Sequence, residues 1–255
     1  MNIRQIYVSS IADDVLSVAR EYGTGIEIAE FCTASNMDTD FDTYNPIAQR
    51  ELAAADRFIF HAPFNEIYPS AIDEKAVDFA KSRLKQAFSL ALSYGIKRIV
   101  VHSGYVPCLY MREWYIEKAV PFWRELLKDL PDDITLLCEN VMETEPTLLH
   151  EVASAVNDPR FLLCLDIGHV NCCCGVTDPL VWLKECAPYI GHFHMHNNDS
   201  RNDTHSPVSD GSLDIKAFLS AAEKLCPDAT YTIESRTAES SVRWMIDNEI
   251  YYSTS

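Results

Sequence analysis

At 255 residues, with 47% hydrophobic and 23% charged side chains, the chain has an ordinary globular composition, and a single domain over residues 1–255 accounts for all of it. It has no run of 18 apolar residues and no basic-then-apolar amino terminus, so neither membrane insertion nor secretion is expected. A formal charge of −17 argues against the broad basic surface that nonspecific nucleic-acid binding requires, and nine cysteines, an odd and scattered number, read as reduced thiols of a cytoplasmic protein.

In chain order, short apolar runs alternate with segments of helical spacing. The runs are Ile3 to Ser9, Gly25 to Ala29, Arg57 to His61, Arg98 to His102, Thr135 to Glu139, Phe161 to Asp166, Ile190 to His194 and Tyr231 to Glu234. Nearly continuous apolar character is what a strand buried on both faces requires, and such strands belong to parallel sheets covered by helices. The helical segments include Ala12 to Tyr22, Ile72 to Tyr94, Arg112 to Leu130, Pro146 to Val156, Pro179 to Ala187, Ile215 to Leu225 and Ser240 to Asn248. From Ala76 to Ala91, Phe79, Leu84 and Phe88 belong to an inward stripe, Lys75, Lys81 and Lys85 face water, and Gly95 supplies the left-handed cap. Eight such alternations predict a (β/α)8 TIM barrel. The competing doubly wound sheet would need a Gly-rich turn after its first strand, and none is present.

Six of these runs stop at a side chain able to hold a metal: His61, His102, Glu139, Asp166, His194 and Glu234. Parallel barrel strands aim their carboxyl ends at one face, so these residues converge there, and clustered buried carboxylates require a cation or proton between them. One polar metal site at the C-terminal face of the strands follows. Asp166-Ile167-Gly168-His169 adds an imidazole three residues beyond a carboxylate, and Asp203-Thr204-His205 lies in the loop after the seventh strand, shaped by Pro207 and Gly211. His192, His194 and His196 alternate along that strand and share one face, with His192 deepest and assigned a structural hydrogen bond.

The phrases His61-Ala62-Pro63, Glu139-Asn140, Asp166-Ile167-Gly168-His169, His194-Met195-His196-Asn197-Asn198-Asp199, Asp203-Thr204-His205-Ser206-Pro207 and Ile233-Glu234 resemble those of the xylose isomerase-like TIM barrels. The resemblance runs over residues 25 to 245. That superfamily joins sugar and sugar-phosphate isomerases and epimerases to the endonuclease IV type of apurinic-site nucleases. The resemblance implies an isomerase-type site of Glu139, Asp166, His194 and Glu234 around one divalent ion, with Glu139 and Glu234 on opposite sides of the substrate. A nuclease-type site would add His61, His102, His169, Asp203 and His205 and hold three zinc ions. Two departures bear on the choice. The Asp-x-His after the seventh strand is nuclease-like, whereas the chain is shorter than typical apurinic nucleases and lacks recognisable basic, intercalating loops.

Three functions are therefore expected to compete. The leading one is a divalent-metal-dependent isomerase or epimerase of a sugar or sugar phosphate, using zinc or manganese and one to three ions, with Glu139 and Glu234 as the catalytic proton-transfer pair. The second is a multinuclear zinc phosphoesterase, and the third a noncatalytic sugar-binding barrel. Four carboxylates against three divalent ions leave about +2, suited to phosphate, whereas three against one ion leave about −1, suited to a neutral sugar. His196, Arg201 and Arg236 are assigned to substrate binding, and Phe64, Tyr68, Tyr105, Tyr110 and Trp114 to the pocket wall. Cys172, Cys173 and Cys174 are read as a local structural feature, since adjacent thiols lack structural-zinc spacing. The expected partner is a small molecule, with no nucleic acid and no membrane, and the oligomeric state is left open.

Overall fold

In a computed structural model that describes residues 2–250, eight parallel strands close into a barrel: β1 (Ile6–Ser9), β2 (Gly25–Ile28), β3 (Phe58–His61), β4 (Arg98–His102), β5 (Thr135–Glu139), β6 (Phe161–Asp166), β7 (Ile190–Met195) and β8 (Thr230–Ile233). Each strand pairs with the next, and β8 pairs with β1. The helices are α1 (Val15–Tyr22), α2 (Phe41–Leu52), α3 (Glu74–Ser93), α4 (Arg112–Lys128), α5 (Thr147–Val156), α6 (Ile167–Cys172), α7 (Pro179–Cys186), α8 (Ile215–Leu225) and α9 (Glu239–Asp247). The fold is a (β/α)8 TIM barrel. Among the described residues, no helix is long and apolar enough to cross a membrane.

Strand periodicity separates two cores. Tyr7, Ile59, Val100, Leu137 and Cys164 form a small cluster of their own inside the barrel. Their sequence neighbours Ile6, Val8, Phe60, Ile99, Val101, Leu136 and Cys138 join the larger core between strands and helices. Gly25 occupies an inward position because a Cβ there would lie 2.4 Å from the Tyr7 ring. The next inward residue on each strand lies two positions on. His61 follows Ile59, His102 follows Val100, Glu139 follows Leu137 and Asp166 follows Cys164, so a polar layer sits directly on the apolar floor. Register holds that layer level, since His102 is opposite Glu139 and Asp166 is opposite His194.

The structure differs from the expected elements in four places. Ile3–Gln5 is a 3-10 turn rather than the start of β1, because Asn2 and Gln5 form reciprocal cap bonds. Helix α2 carries Pro46 and buries only Ala48 and Glu51, which leaves little apolar periodicity to read. Helix α6 is six residues long and begins where β6 ends, with Asp166 as its cap. Phe79, expected on the buried stripe of α3, is 45% exposed beneath the Arg83 guanidinium.

Candidate metal centre

Ten side chains at this end of the barrel fall into three adjoining groups, each with ligand atoms within 4.8 Å of one another: His61, His102 and Glu139; then Glu139, Asp166, His194 and Glu234; then His169, His196, Asp203 and His205. Glu139 belongs to the first two. His61 Nε2 and His102 Nε2 lie 3.4 and 3.2 Å from Glu139 Oε2, while His194 Nδ1 lies 3.2 Å from Glu139 Oε1 and 3.3 Å from Glu234 Oε2. In the third group His169 Nε2 and His205 Nε2 both lie 3.3 Å from Asp203 Oδ2.

Hydrogen bonds behind these rings set which nitrogen faces the centre. Nδ1 of His61 donates to the Ala62 carbonyl at 2.9 Å, Nδ1 of His169 to the Asn140 carbonyl at 3.0 Å, and Nδ1 of His205 to the Glu234 carbonyl at 2.7 Å. Each ring then turns its Nε2 inward. His194 is reversed: its Nε2 donates to Glu27, at 3.2 and 3.3 Å from the two oxygens, and Nδ1 faces the centre. A carboxylate or carbonyl behind a ligating imidazole is the arrangement that fixes tautomer and ring orientation in metal sites.

Local backbone supports the same aim. Asn140 accepts from the Asp166 amide and donates to the Asp166 carbonyl, both at 2.9 Å, which locks the ends of β5 and β6 together. Asp166 caps α6 by accepting from the His169 amide at 2.7 Å, so carboxylate and imidazole are fixed one turn apart. His205 adopts φ +47, an unusual conformation for a residue with a side chain. Its carbonyl accepts from the Arg236 amide at 3.2 Å, and Asn197 pairs with Ser206 across the loop.

Glu139 Oε2 and His194 Nδ1 are buried and make no hydrogen bond, although ionisable neighbours stand 3.2–3.4 Å away. Orphaned buried polar atoms are costly unless a further group satisfies them. Electrostatics agrees. Burial opposes ionisation of Glu139, yet His194, His102 and His169 hold its carboxyl well below the usual range, and Asp166 is held down likewise by His169 and His196. Against their own burial, His169 and His194 are raised well above the ordinary imidazole value by the surrounding anions, and His205 is raised to about 9. Imidazolium charge thus stands where a divalent cation would neutralise the same carboxylates. The donor set, all imidazole nitrogen and carboxylate oxygen, suits zinc or manganese.

Glu27 is absent from the sequence reading. It is fully buried on β2, accepts from Thr232 Oγ1 at 2.7 Å as well as from His194, and is held below the usual carboxylate range, against burial, by His194 and His192. Counting it, five carboxylates lie in or directly behind the centre rather than four, so three divalent ions would leave about +1 instead of about +2. Its signal was a charged residue inside the four-residue run Gly25-Ile26-Glu27-Ile28. His192 beneath it bonds Thr230 Oγ1 and Thr232 Oγ1 at 2.6 and 2.9 Å, and burial pushes its pKa down to about 4.

A cavity of about 470 Å³ opens above the centre, with His61, His102, Glu139, His169, Asp203, His205 and Glu234 on its floor and Phe64, Ile67, Tyr68, Tyr105, Val106 and Met142 among its walls. Among the described residues, no lysine or arginine lines it. A second space of about 280 Å³ shares His61, Phe64, His205 and Glu234 and is bordered by Arg236. Of the residues assigned to substrate, Arg236 therefore sits beside the centre and Arg201 is exposed on the β7–α8 loop. His196 is fully buried, 3.1 Å from Asp166 and stacked on His205. Phe64, Tyr68 and Tyr105 reach the cavity wall. Tyr110 and Trp114 are not among its lining residues; Tyr110 is buried, and Trp114 Nε1 donates to the Ser70 carbonyl.

The xylose isomerase-like TIM barrel family model matches residues 16–248. Among curated proteins, the uncharacterized protein MJ1311 of Methanocaldococcus jannaschii is 22% identical over 196 residues, covering 72% of this chain and 66% of that one. The aligned region thus spans about two thirds of that relative's length. Among solved structures, a D-tagatose 3-epimerase-like protein superposes with a TM-score of 0.75 at 20% identity, covering 96% of each chain. The TTHB071 protein from Thermus thermophilus, soaked with ZnCl2, gives a TM-score of 0.74 at 22% identity, covering 95% of this chain and 97% of that one. At these identities the likeness is one of fold.

Proposed function

The chain belongs to the xylose isomerase-like TIM barrel family, and from that premise we propose that it is a divalent-metal-dependent isomerase or epimerase of a sugar or sugar phosphate. The observation that carries this reading is the placement of Glu139 and Glu234: both face the main cavity, and both stand beside the same His194 nitrogen. His61, His102, Glu139, Asp166, His169, His194, Asp203, His205 and Glu234 would hold between one and three ions. When bound, a divalent ion supplies Lewis acidity toward the substrate's carbonyl and hydroxyl oxygens.

The chain's own residues then do the proton chemistry. Glu139 takes the proton from the carbon beside the carbonyl, and Glu234, also on the cavity floor, would deliver one to the other face. Phe64, Ile67, Tyr105 and Met142 keep bulk water from the reacting carbon and offer apolar surface to a sugar's C–H face. Arg236, which borders the adjoining space, would meet an anionic substituent, while His196, fully buried, backs the ring of His205 instead of touching substrate, and Arg201 would reach a substrate only from the β7–α8 loop. A wall without lysine or arginine suits a polyol and does not suit a nucleic-acid duplex.

A phosphoesterase remains the second reading because the ligands form three adjoining groups around Glu139. One experiment separates the two. Metal-loaded protein incubated with D-tagatose and other ketoses in heavy water should place deuterium on the carbon next to the carbonyl. Glu139→Gln should slow that exchange roughly 10²–10⁴-fold while metal content and sugar binding persist. Undiminished exchange in that variant with metal retained removes Glu139 from the role. Release of phosphate from a phosphoester, with no carbon-bound exchange on any ketose, establishes the hydrolytic reading instead.

A further inference from the structure

The run Cys172-Cys173-Cys174 has no part in the proposed reaction, yet its first two sulfurs are in contact. Cys172 Sγ lies 3.2 Å from Cys173 Sγ, with Cys173 exposed and Cys172 half-buried. The pair closes α6, the short helix that carries His169. The Cys173 and Cys174 amides both donate to the His169 carbonyl, at 2.8 and 3.1 Å, and the Cys172 thiol leans on the Gly168 carbonyl at 3.2 Å. At its other end the same helix is capped by Asp166.

We propose that Cys172 and Cys173 form a reversible oxidation site, and that closing their disulfide withdraws His169 from the third ligand group. A peroxide reaches the exposed sulfur first: the Cys173 thiolate attacks a peroxide oxygen, giving a sulfenic acid and releasing one water. The neighbouring Cys172 sulfur displaces the hydroxyl, the S–S bond forms, and a second water leaves. Two thiols lose two electrons and two protons, and the peroxide is reduced to two waters.

The coupling to His169 follows from the geometry of adjacent residues. Their Cα atoms are about 3.8 Å apart across a trans peptide, below the roughly 4.4–6.8 Å range of relaxed disulfides, so ring closure must distort the peptide between them. That peptide carries the Cys173 N–H bonded to the His169 carbonyl. Distorting it opens the helix end, and a six-residue helix has no further turn to absorb the change. Strain of this kind also leaves the bond easily reduced by small thiols.

The test oxidises metal-loaded protein with hydrogen peroxide, then measures intact mass, amide exchange over residues 167–175 and bound metal. Expected are loss of two hydrogens, faster exchange in that segment and loss of about one equivalent of metal, all reversed by dithiothreitol. Cys172→Ser and Cys173→Ser should each abolish all three. The metal readout rests on His169 being a ligand as proposed above, whereas the mass and exchange readouts do not, so a metal-free protein would sink that earlier reading without touching this one. Oxygen addition at Cys173 without bond formation, or a disulfide that leaves amide exchange in the segment unchanged, overturns the proposal.

Discussion

His194 depends on a residue 167 positions away. Glu27 holds its Nε2, which leaves Nδ1 for the centre, and the pair is wholly buried. If Glu27 positions a ligand rather than filling space, Glu27→Gln, nearly equal in shape, should weaken metal binding about 10–100-fold. Competition against a chromogenic chelator measures this directly, with circular dichroism to verify folding. Unchanged affinity in a folded variant would reduce Glu27 to packing. This dependence also marks the limit of what single residues reveal. His61, His102, Glu139, Asp166, His194 and Glu234 are legible because each ends an apolar run, where a barrel has only one place to put it. Glu27 lies in the middle of its run, Gly25 to Ala29, and only the closed barrel brings it against His194.

At the scale of elements, alternation and strand period carried the architecture through, whereas weakly amphipathic pieces did not show. Helix α2, which carries Pro46 and fully buries only Ala48 and Glu51, and α6, six residues long and capped by Asp166, offer no long apolar stripe to read. Helix α6 matters most to the site because its geometry leaves no spare volume. A Cβ at Gly168 would stand 1.9 Å from His196 Cε1, and that ring is fully buried and stacked 4.1 Å from His205. Gly168→Ala should therefore cost roughly 1–3 kcal/mol of stability, measured by urea unfolding, and displace His196 from Asp166. A variant as stable as the parent would mean that the ring relocates freely, contrary to the packing described. The β7–α8 loop was partly legible: the Asp-x-His spacing pointed to two candidate ligands, but the φ +47 at His205 is a property of the closed loop.

Across the whole molecule, a charge of −17 surrounds a pocket that Glu139, Asp203 and Glu234 line from the floor and Glu66 from the wall, with Asp166 and Glu27 buried beneath. Such a field draws divalent cations toward the barrel mouth and repels polyanions such as a nucleic-acid duplex, which fits a small-molecule substrate. It also makes the centre expensive without ions, since imidazolium is then the main charge that offsets the carboxylates. Elemental analysis of protein purified without chelators tests the central claim most directly. More than one equivalent of zinc, manganese or a similar divalent ion per chain is predicted, with thermal stability falling when a chelator removes it. Protein carrying no stoichiometric metal, with a melting temperature indifferent to chelator, would contradict the account.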